Sequence, residues 1–350
     1  MFYISKRKIS ENHKPFIIAE ISANHNGSIK KAIQLVDLAI KSGASAIKLQ
    51  TFTPDCMTLN LRSKNFYVND KVSLWKGKNL FALYKKNQTP WSWHKSIFDY
   101  AKKKKIIAFS SPFSVKAVQF LETLNVPCYK VASFEVNHTP MLLEIAKANK
   151  PIIMSTGMSS KKEIKQAIKT LCTFGKRKII LLKCTSSYPS SFESLNLNTI
   201  VDMKKTFKCD VGFSDHSKGI EASVAAVTLG ACVIEKHFAL DKYSVDGKFA
   251  IISNDFKKMV QACDNAWLAK GKVFYGVNSS EKGSATRKRG ICVSAKINSG
   301  QIFNENNIRV IRSAKGLHPK YFYKVLGKKA QRDLMPGINL TKKMVKSLNK

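Results

Sequence analysis

His216 and His237 close two short segments, GFSDH and VIEKH, in which an apolar run ends on an imidazole. Two imidazoles held side by side can share a divalent cation and leave positions open for water or substrate, as a catalytic metal requires. Two protein ligands alone suit Mn²⁺ or Mg²⁺, completed by substrate oxygens and water, better than a tight zinc centre. Asp215 and Glu235 flank the pair in sequence. Taken singly, either histidine is better explained as the cap of a strand; the pair is what points to a metal.

Three lysines, Lys48, Lys130 and Lys183, interrupt runs that are otherwise apolar. An unpaired ammonium there is expensive, so each is expected to project into a polar mouth and meet an anion or a carbonyl. Ser111, Ser133, Ser155 and Ser214 end similar runs and can donate to phosphate or carboxylate oxygens. A Schiff-base lysine is the competing chemistry. Glu20 and Glu235 are candidates for proton transfer, because burial at such a mouth raises a carboxyl pKa; they can equally balance the lysines.

All these residues sit at or near the ends of eight β-branched, apolar runs. The runs are FIIAEIS, ASAIKLQ, KIIAFSS, PCYKVAS, PIIMST, IILLKCT, DVGFSDH and CVIEKHF, all within the first 240 residues. Runs of this kind, alternating with amphipathic helices, indicate a parallel sheet buried on both faces. Eight in succession predict an α/β chain built as a (β/α)₈ TIM barrel, whose chemistry lies at the C-terminal strand ends. The intervening segments predict helices over 28–42, 91–103, 114–124, 139–148, 160–173, 194–205, 220–229 and 255–270. The second run is followed by a long excursion to about Lys104, carrying Trp75, Trp91 and Trp93; these suit packing of the excursion better than stacking on a sugar. The barrel is expected over 1–274 and a linker over 275–283. A small, mostly β domain is expected over 284–350, where turn residues are frequent and no α/β alternation remains.

Composition narrows the class. A hydrophobic fraction of 44% fits a packed globular chain. No signal-peptide h-region or membrane-spanning stretch is evident, which sets a cytoplasmic location as the expectation. The eight cysteines form no CxxC pair, so neither a disulfide framework nor a cysteine metal site is expected. The net charge of +37 raises the question of a nucleic-acid partner. The excess is overwhelmingly lysine, spread along the chain, whereas nucleic-acid readers concentrate arginine and aromatics on one element. Neither a nucleic-acid nor a membrane partner is expected.

Taken together, the segments resemble the sialic acid (N-acetylneuraminate) synthase family, which condenses phosphoenolpyruvate with amino-sugars. The motifs carrying the resemblance are AEISANHNG (Ala19–Gly27), IKLQTF (Ile47–Phe52), FSSPF (Phe109–Phe113) and YKVASFE (Tyr129–Glu135), followed by KPIIMSTGM (Lys150–Met158), LLKCTSSYP (Leu181–Pro189), GFSDHSKGI (Gly212–Ile220) and VIEKHF (Val233–Phe238). The C-terminal part is similar to the family's antifreeze-like SAF domain. SANHNG, CTSSYP and VDGKF resemble the branch that takes 2,4-diacetamido-2,4,6-trideoxy sugars of the altrose series. Where the family usually carries R-P-G-x-G, this chain has Arg312-Ser313-Ala314-Lys315-Gly316.

The resemblance implies roles at matching positions. His216 and His237 would hold the metal. Lys48, Ser111, Lys130, Ser133, Ser155, Ser186 and Ser214 would hold phosphoenolpyruvate, and Tyr188 and Asp246 would face the sugar. Glu20 and Glu235 would manage protons. The terminal domain of a partner subunit would contribute Arg312, which makes the expected assembly a domain-swapped homodimer.

Overall fold

The computed structural model describes residues 2–70, 74–176, 178–312 and 315–348. Ser313 and Ala314 of the Arg312–Gly316 loop lie outside the described residues. The chain folds as two compact units, Met1–Gly271 and Lys272–Lys350.

The first unit opens with an antiparallel hairpin, β1 (Phe2–Ile4) and β2 (Arg7–Ile9), which the short basic N-terminal sequence did not announce. The eight predicted strands follow: β3 (Phe16–Glu20), β4 (Ala46–Thr51), β5 (Ile107–Pro112), β6 (Tyr129–Val131), β7 (Ile152–Ser155), β8 (Ile179–Cys184), β9 (Val211–Asp215) and β10 (Val233–His237). They pair in parallel in chain order, and β10 returns to β3 to close the barrel. Closure removes every sheet edge, so the run-to-helix alternation in the sequence is satisfied in full.

Strand alternation explains what the continuous runs concealed. One set of side chains, including Ile18, Ala46, Phe109, Ile153, Ile180, Leu182 and Val233, fills the barrel interior; Phe2, Ile4 and Ile9 of the hairpin pack in the same cluster. The other set, including Ile17, Ile47, Tyr129, Leu181, Phe213 and Ile234, meets the helices in the outer cluster. Two apolar layers on either side of each strand produce the near-continuous hydrophobic reading.

The helices are α1 (Ile29–Lys41), α2 (Pro54–Met57), α3 (Leu80–Asn87), α4 (Trp91–Lys103), α5 (Val115–Thr123), α6 (Thr139–Lys147), α7 (Lys161–Leu171), α8 (Thr199–Phe207), α9 (Glu221–Thr228) and α10 (Ser253–Lys270). Most have a sequence-legible start. Ser28 caps α1 through Lys31 N, and Ser160 and Glu163 form a reciprocal capping box on α7, a device worth about 1 kcal/mol. Helix α8 begins five residues later than the predicted 194, because Phe192–Ser194 is a separate 3₁₀ turn and Asn196 takes a positive φ of 47°. Within the excursion, α2 and α3 add structure that its mixed composition hid.

The second unit is small and mostly β, as expected. Strands β11 (Arg289–Val293) and β12 (Ile308–Arg312) pair antiparallel around Ile291, Val293, Ile297, Phe303 and Ile308. The PGINL segment adds to β11 through Val293 N donating to Ile338 O and Leu340 N donating to Ile291 O, both at 2.9 Å. Among residues 275–283, Ser279–Glu281 forms a 3₁₀ turn.

Candidate active site

The inward-facing positions at the C-terminal strand ends converge. Register places His237 beside Glu20 and Glu20 beside Lys48, so three neighbouring strands present an imidazole, a carboxylate and an ammonium in a row. Glu235 lies beside Ser214 on β9, whose hydroxyl donates to Glu235 Oε1 at 3.1 Å.

Lys48 is ion-paired with Glu20, lies 3.8 Å from Glu235 and donates to Ser111 Oγ at 3.2 Å. Burial by itself would lower its pKa, but Glu20 and Glu235 outweigh burial and raise it. Lys130 donates to Ser155 Oγ at 2.7 Å and lies 3.6 Å from Glu235. Burial holds this second ammonium below its ordinary range; Glu235 opposes that shift and Lys48 reinforces it. All four charged groups are almost wholly shielded from solvent. Burial would raise Glu235, yet Lys130 and Lys48 override it and keep the carboxylate ionised, so the simple expectation of a raised pKa does not hold there.

Lys183 differs from the other two lysines. It occupies an outward position on β8, donates to Thr185 Oγ1 at 3.2 Å and lines a cavity of about 520 Å³ with Thr156, Lys161, Asn196 and Asp202. The expectation that it enters the barrel mouth is corrected: a run apolar on both faces does not reveal which way an inserted lysine points.

Beyond β7, Gly157 runs between two serines. Its N–H donates to Ser133 Oγ at 3.1 Å, and a Cβ at this position would fall 2.4 Å from Ser186 Oγ and 2.8 Å from Ser133 Oγ. The glycine is therefore required for the two hydroxyls to close over the backbone. With Lys130 and Ser155 on the adjacent strands, this forms a cradle of donors suited to an anion.

His216 and His237 have ring centroids 5.3 Å apart. Nδ1 of His216 lies 2.9 Å from the Thr185 carbonyl, and Nδ1 of His237 lies 2.8 Å from Asp246 Oδ2. Each acceptor takes up Nδ1–H, so in the neutral form of either ring the lone pair sits on Nε2, the atom then free to ligate a metal. Among the described residues no group of three or more His, Cys, Asp or Glu is placed to hold a metal ion. With two imidazoles as the protein donors, a divalent cation here would need its coordination completed by oxygens from solvent and substrate. Asp215 is not part of it, because its side chain faces the helices.

Tyr188 lies over the histidines, its ring 4.4 Å from His216, 5.3 Å from Phe249 and 6.1 Å from Trp75. Trp91 instead stacks on Phe120 and Trp93 packs edge-on to His25, the packing role expected of them. Asp246 is bound to His237 and exchanges two hydrogen bonds across the barrel rim with Asn24: Asn24 Nδ2 donates to Oδ2 at 3.2 Å, and the Asp246 N–H donates to Asn24 Oδ1 at 2.8 Å. Arg312 ends β12 in the second unit and is exposed.

One carboxyl group escaped the sequence reading. Glu135 ends the 3₁₀ turn Ser133–Glu135 just beyond β6; it is buried, and its Oε2 has no hydrogen-bond partner. Burial raises its pKa to about 7 against the opposing charge of Lys130. The only signal was its place in YKVASFE, after the strand had ended.

This geometry frames the comparisons with known proteins. The NeuB family profile matches residues 35–275, and the SAF domain profile matches residues 288–346. The chain belongs to the NeuB family. A pseudaminic acid synthase of Campylobacter jejuni is 42% identical over 326 residues, 93% of this chain and 94% of the relative. A pseudaminic acid synthase of Helicobacter pylori is 40% identical over 332 residues, 93% and 96% of the two chains. Among solved structures, the spore coat polysaccharide biosynthesis protein SpsE of Bacillus subtilis superposes with a TM-score of 0.66 at 31% identity, covering 98% of each chain. NeuB membership accounts for the barrel, the terminal SAF domain and the polar mouth together.

Proposed function

We propose that this chain is a pseudaminic acid synthase. It condenses phosphoenolpyruvate with 2,4-diacetamido-2,4,6-trideoxy-β-L-altropyranose, giving pseudaminic acid and inorganic phosphate by cleavage of the ester C–O bond. The observation that carries this reading is an oriented imidazole pair facing two buried lysines and a serine cradle, in a chain that matches pseudaminic acid synthases along nearly its whole length.

In the reaction, C3 of phosphoenolpyruvate bonds to the aldehyde carbon of the open-chain sugar, and the aldehyde oxygen gains a proton. Water adds at C2, and the C2–O bond breaks with its electron pair leaving on phosphate. A divalent cation, Mn²⁺ or Mg²⁺, held by His216 and His237 would supply Lewis-acid polarisation of the aldehyde. Lys48, Lys130, Ser111, Ser133, Ser155, Ser186 and Ser214 grip the carboxylate and phosphate and stabilise the negative charge that grows on the leaving group. The lysines act as fixed charges; no Schiff base is needed. Glu135, with its pKa near neutrality, is the proton donor, and Glu20 and Glu235 are on the accepting side. Tyr188 packs against the sugar.

The resemblance further assigns Arg312 of a second copy of the chain to the sugar, making the enzyme a domain-swapped homodimer. A cytoplasmic location fits eight cysteines that are all free. Among the described residues no helix is long and apolar enough to cross a membrane.

The test is product identification. The protein is supplied with Mn²⁺, phosphoenolpyruvate and, in turn, the altrose-series sugar, N-acetylmannosamine and the 2,4-diacetamido legionaminate precursor. Mass spectrometry is expected to find pseudaminic acid, with matching phosphate release, from the first. Faster turnover of either alternative reassigns the enzyme to neuraminate or legionaminate synthesis. No turnover with any sugar, together with salt-resistant DNA retention, overturns the enzymatic reading.

A further inference from the structure

Behind the two histidines lies a second charged arrangement, facing away from the barrel interior. Lys236 and Asp215 are register partners on β10 and β9, each one residue before a histidine. Their side chains pair at 2.8 Å with no exposure on either. Asp215 Oδ1 accepts from Ser217 N at 2.8 Å and from Ser217 Oγ at 2.6 Å, and Oδ2 accepts from Ser223 Oγ of α9 at 2.7 Å. Lys236 Nζ also donates to the Ser217 carbonyl at 2.5 Å.

The bonding is therefore arranged around His216. Residues 215 and 217, its neighbours on both sides, are tied to one ammonium, and that ammonium belongs to the residue before His237. Strand alternation sends 215 and 236 outward while 216 and 237 point into the mouth. Neither strand end can slide or twist without breaking a buried charge contact, which is costly in the low-dielectric layer between sheet and helices. The outer face needs no charge for packing, since its other positions on these strands, such as Phe213 and Ile234, are apolar.

We propose that the Lys236–Asp215 pair, with Ser217 and Ser223, is a positioning device that sets the spacing and direction of His216 and His237. This rests on the reading of the two histidines as metal ligands. Its residues touch neither substrate nor cation; they act through the backbone of the two strand ends.

The experiment measures Mn²⁺ affinity directly, by electron paramagnetic resonance of the free ion, on the full chain. Thermal unfolding and phosphoenolpyruvate affinity are followed in parallel. The double variant Asp215→Leu/Lys236→Met removes both charges, so neither is left buried alone. It is expected to bind Mn²⁺ roughly 10- to 100-fold more weakly, as when groups that orient metal ligands are lost, with cooperative unfolding retained and phosphoenolpyruvate affinity changed by less than about threefold. Ser223→Ala deletes one oxygen and keeps the pair; it is expected to weaken Mn²⁺ binding by about threefold, and it serves if the double variant does not fold. Wild-type Mn²⁺ affinity in Ser223→Ala, or in a folded double variant, overturns the proposal. A His216→Ala/His237→Ala variant that binds Mn²⁺ like the wild type overturns the metal reading itself, and this inference with it.

Discussion

Nδ1 of His237 and the carboxylate of Asp246 lie 2.8 Å apart, both shielded from solvent. A carboxylate behind an imidazole fixes the tautomer and raises the basicity of the opposite nitrogen. Asp246→Ala is expected to lower Mn²⁺ affinity by about 10- to 100-fold, read by titration calorimetry. If Mn²⁺ affinity is unchanged and only the KM for the sugar rises, Asp246 acts on the sugar and not through His237.

In the proposed reaction Glu135 serves as the acid. A donor with a pKa of about 7 is protonated below that value, so phosphate release should fall as pH rises through it. Glu135→Gln keeps the shape and removes the proton; turnover should drop by about 10²- to 10⁴-fold, with the residual rate flat across this range. A variant that keeps the wild-type rate and pH profile removes Glu135 from the chemistry.

Gly157 is expected to be the most sensitive backbone position of the serine cradle. Alanine there forces the hydroxyls of Ser133 and Ser186 to rotate away from a Cβ that would otherwise fall 2.8 and 2.4 Å from them. Gly157→Ala should remain folded, since the two closest obstacles are rotatable hydroxyls and the Ser133 Cβ, at 3.2 Å, need give only a few tenths of an ångström; it should lose roughly tenfold in phosphoenolpyruvate affinity, equivalent to about one lost hydrogen bond to a charged group. Calorimetric titration with phosphoenolpyruvate alone checks this; unchanged affinity would place the anion elsewhere.

Lys183→Met is the matching negative control. Because this lysine faces the helices, the substitution should leave turnover and phosphoenolpyruvate KM within about twofold of wild type, whereas Lys130→Met, at the cradle, should lose at least about 10²-fold in kcat/KM. Steady-state kinetics on the two variants decides which lysines face the mouth.

His94 anchors the excursion to the barrel: Thr51 Oγ1 lies 2.8 Å from its Nε2, and its Nδ1 lies 3.2 Å from the Pro90 carbonyl. Burial lowers its pKa from 6.5 to about 4, so between these values the unfolded chain binds the proton and the folded one does not. Its stabilising contribution is complete above pH 6.5, declines as pH falls and is gone below about pH 4, a span of about 3 kcal/mol at most. Urea midpoints of wild type and His94→Gln, measured from pH 7 to pH 4, should converge as the pH drops. Parallel curves would mean that another group governs acid unfolding.

How much of this was legible in the sequence follows from strand geometry. The eight strands were readable because burial on both faces leaves each as an apolar run. That same property erased the period-two signal, so Lys48 and Lys183 looked alike although one faces inward and the other outward. His216 and His237 were legible because each closes its run. Glu135 was not, because it sits one 3₁₀ turn past a strand only three residues long. The Lys236–Asp215 pair was hidden for a third reason: its partners become neighbours only through register between strands.

Lys48 and Lys130 carry two positive charges, and Glu20 and Glu235 carry two negative ones in the same shielded volume. With both pairs ionised, these four groups together carry no net charge. A phosphate ester arriving there brings at least two negative charges, which the lysines can receive only by loosening their hold on the glutamates. A divalent cation held by His216 and His237 would offset that charge in the same volume. By reciprocity of linked equilibria, the ester would then tighten the dication by the same factor as the dication tightens the ester. Each affinity measured with one ligand alone would then be a limiting value, to be compared between variants at a fixed concentration of the other.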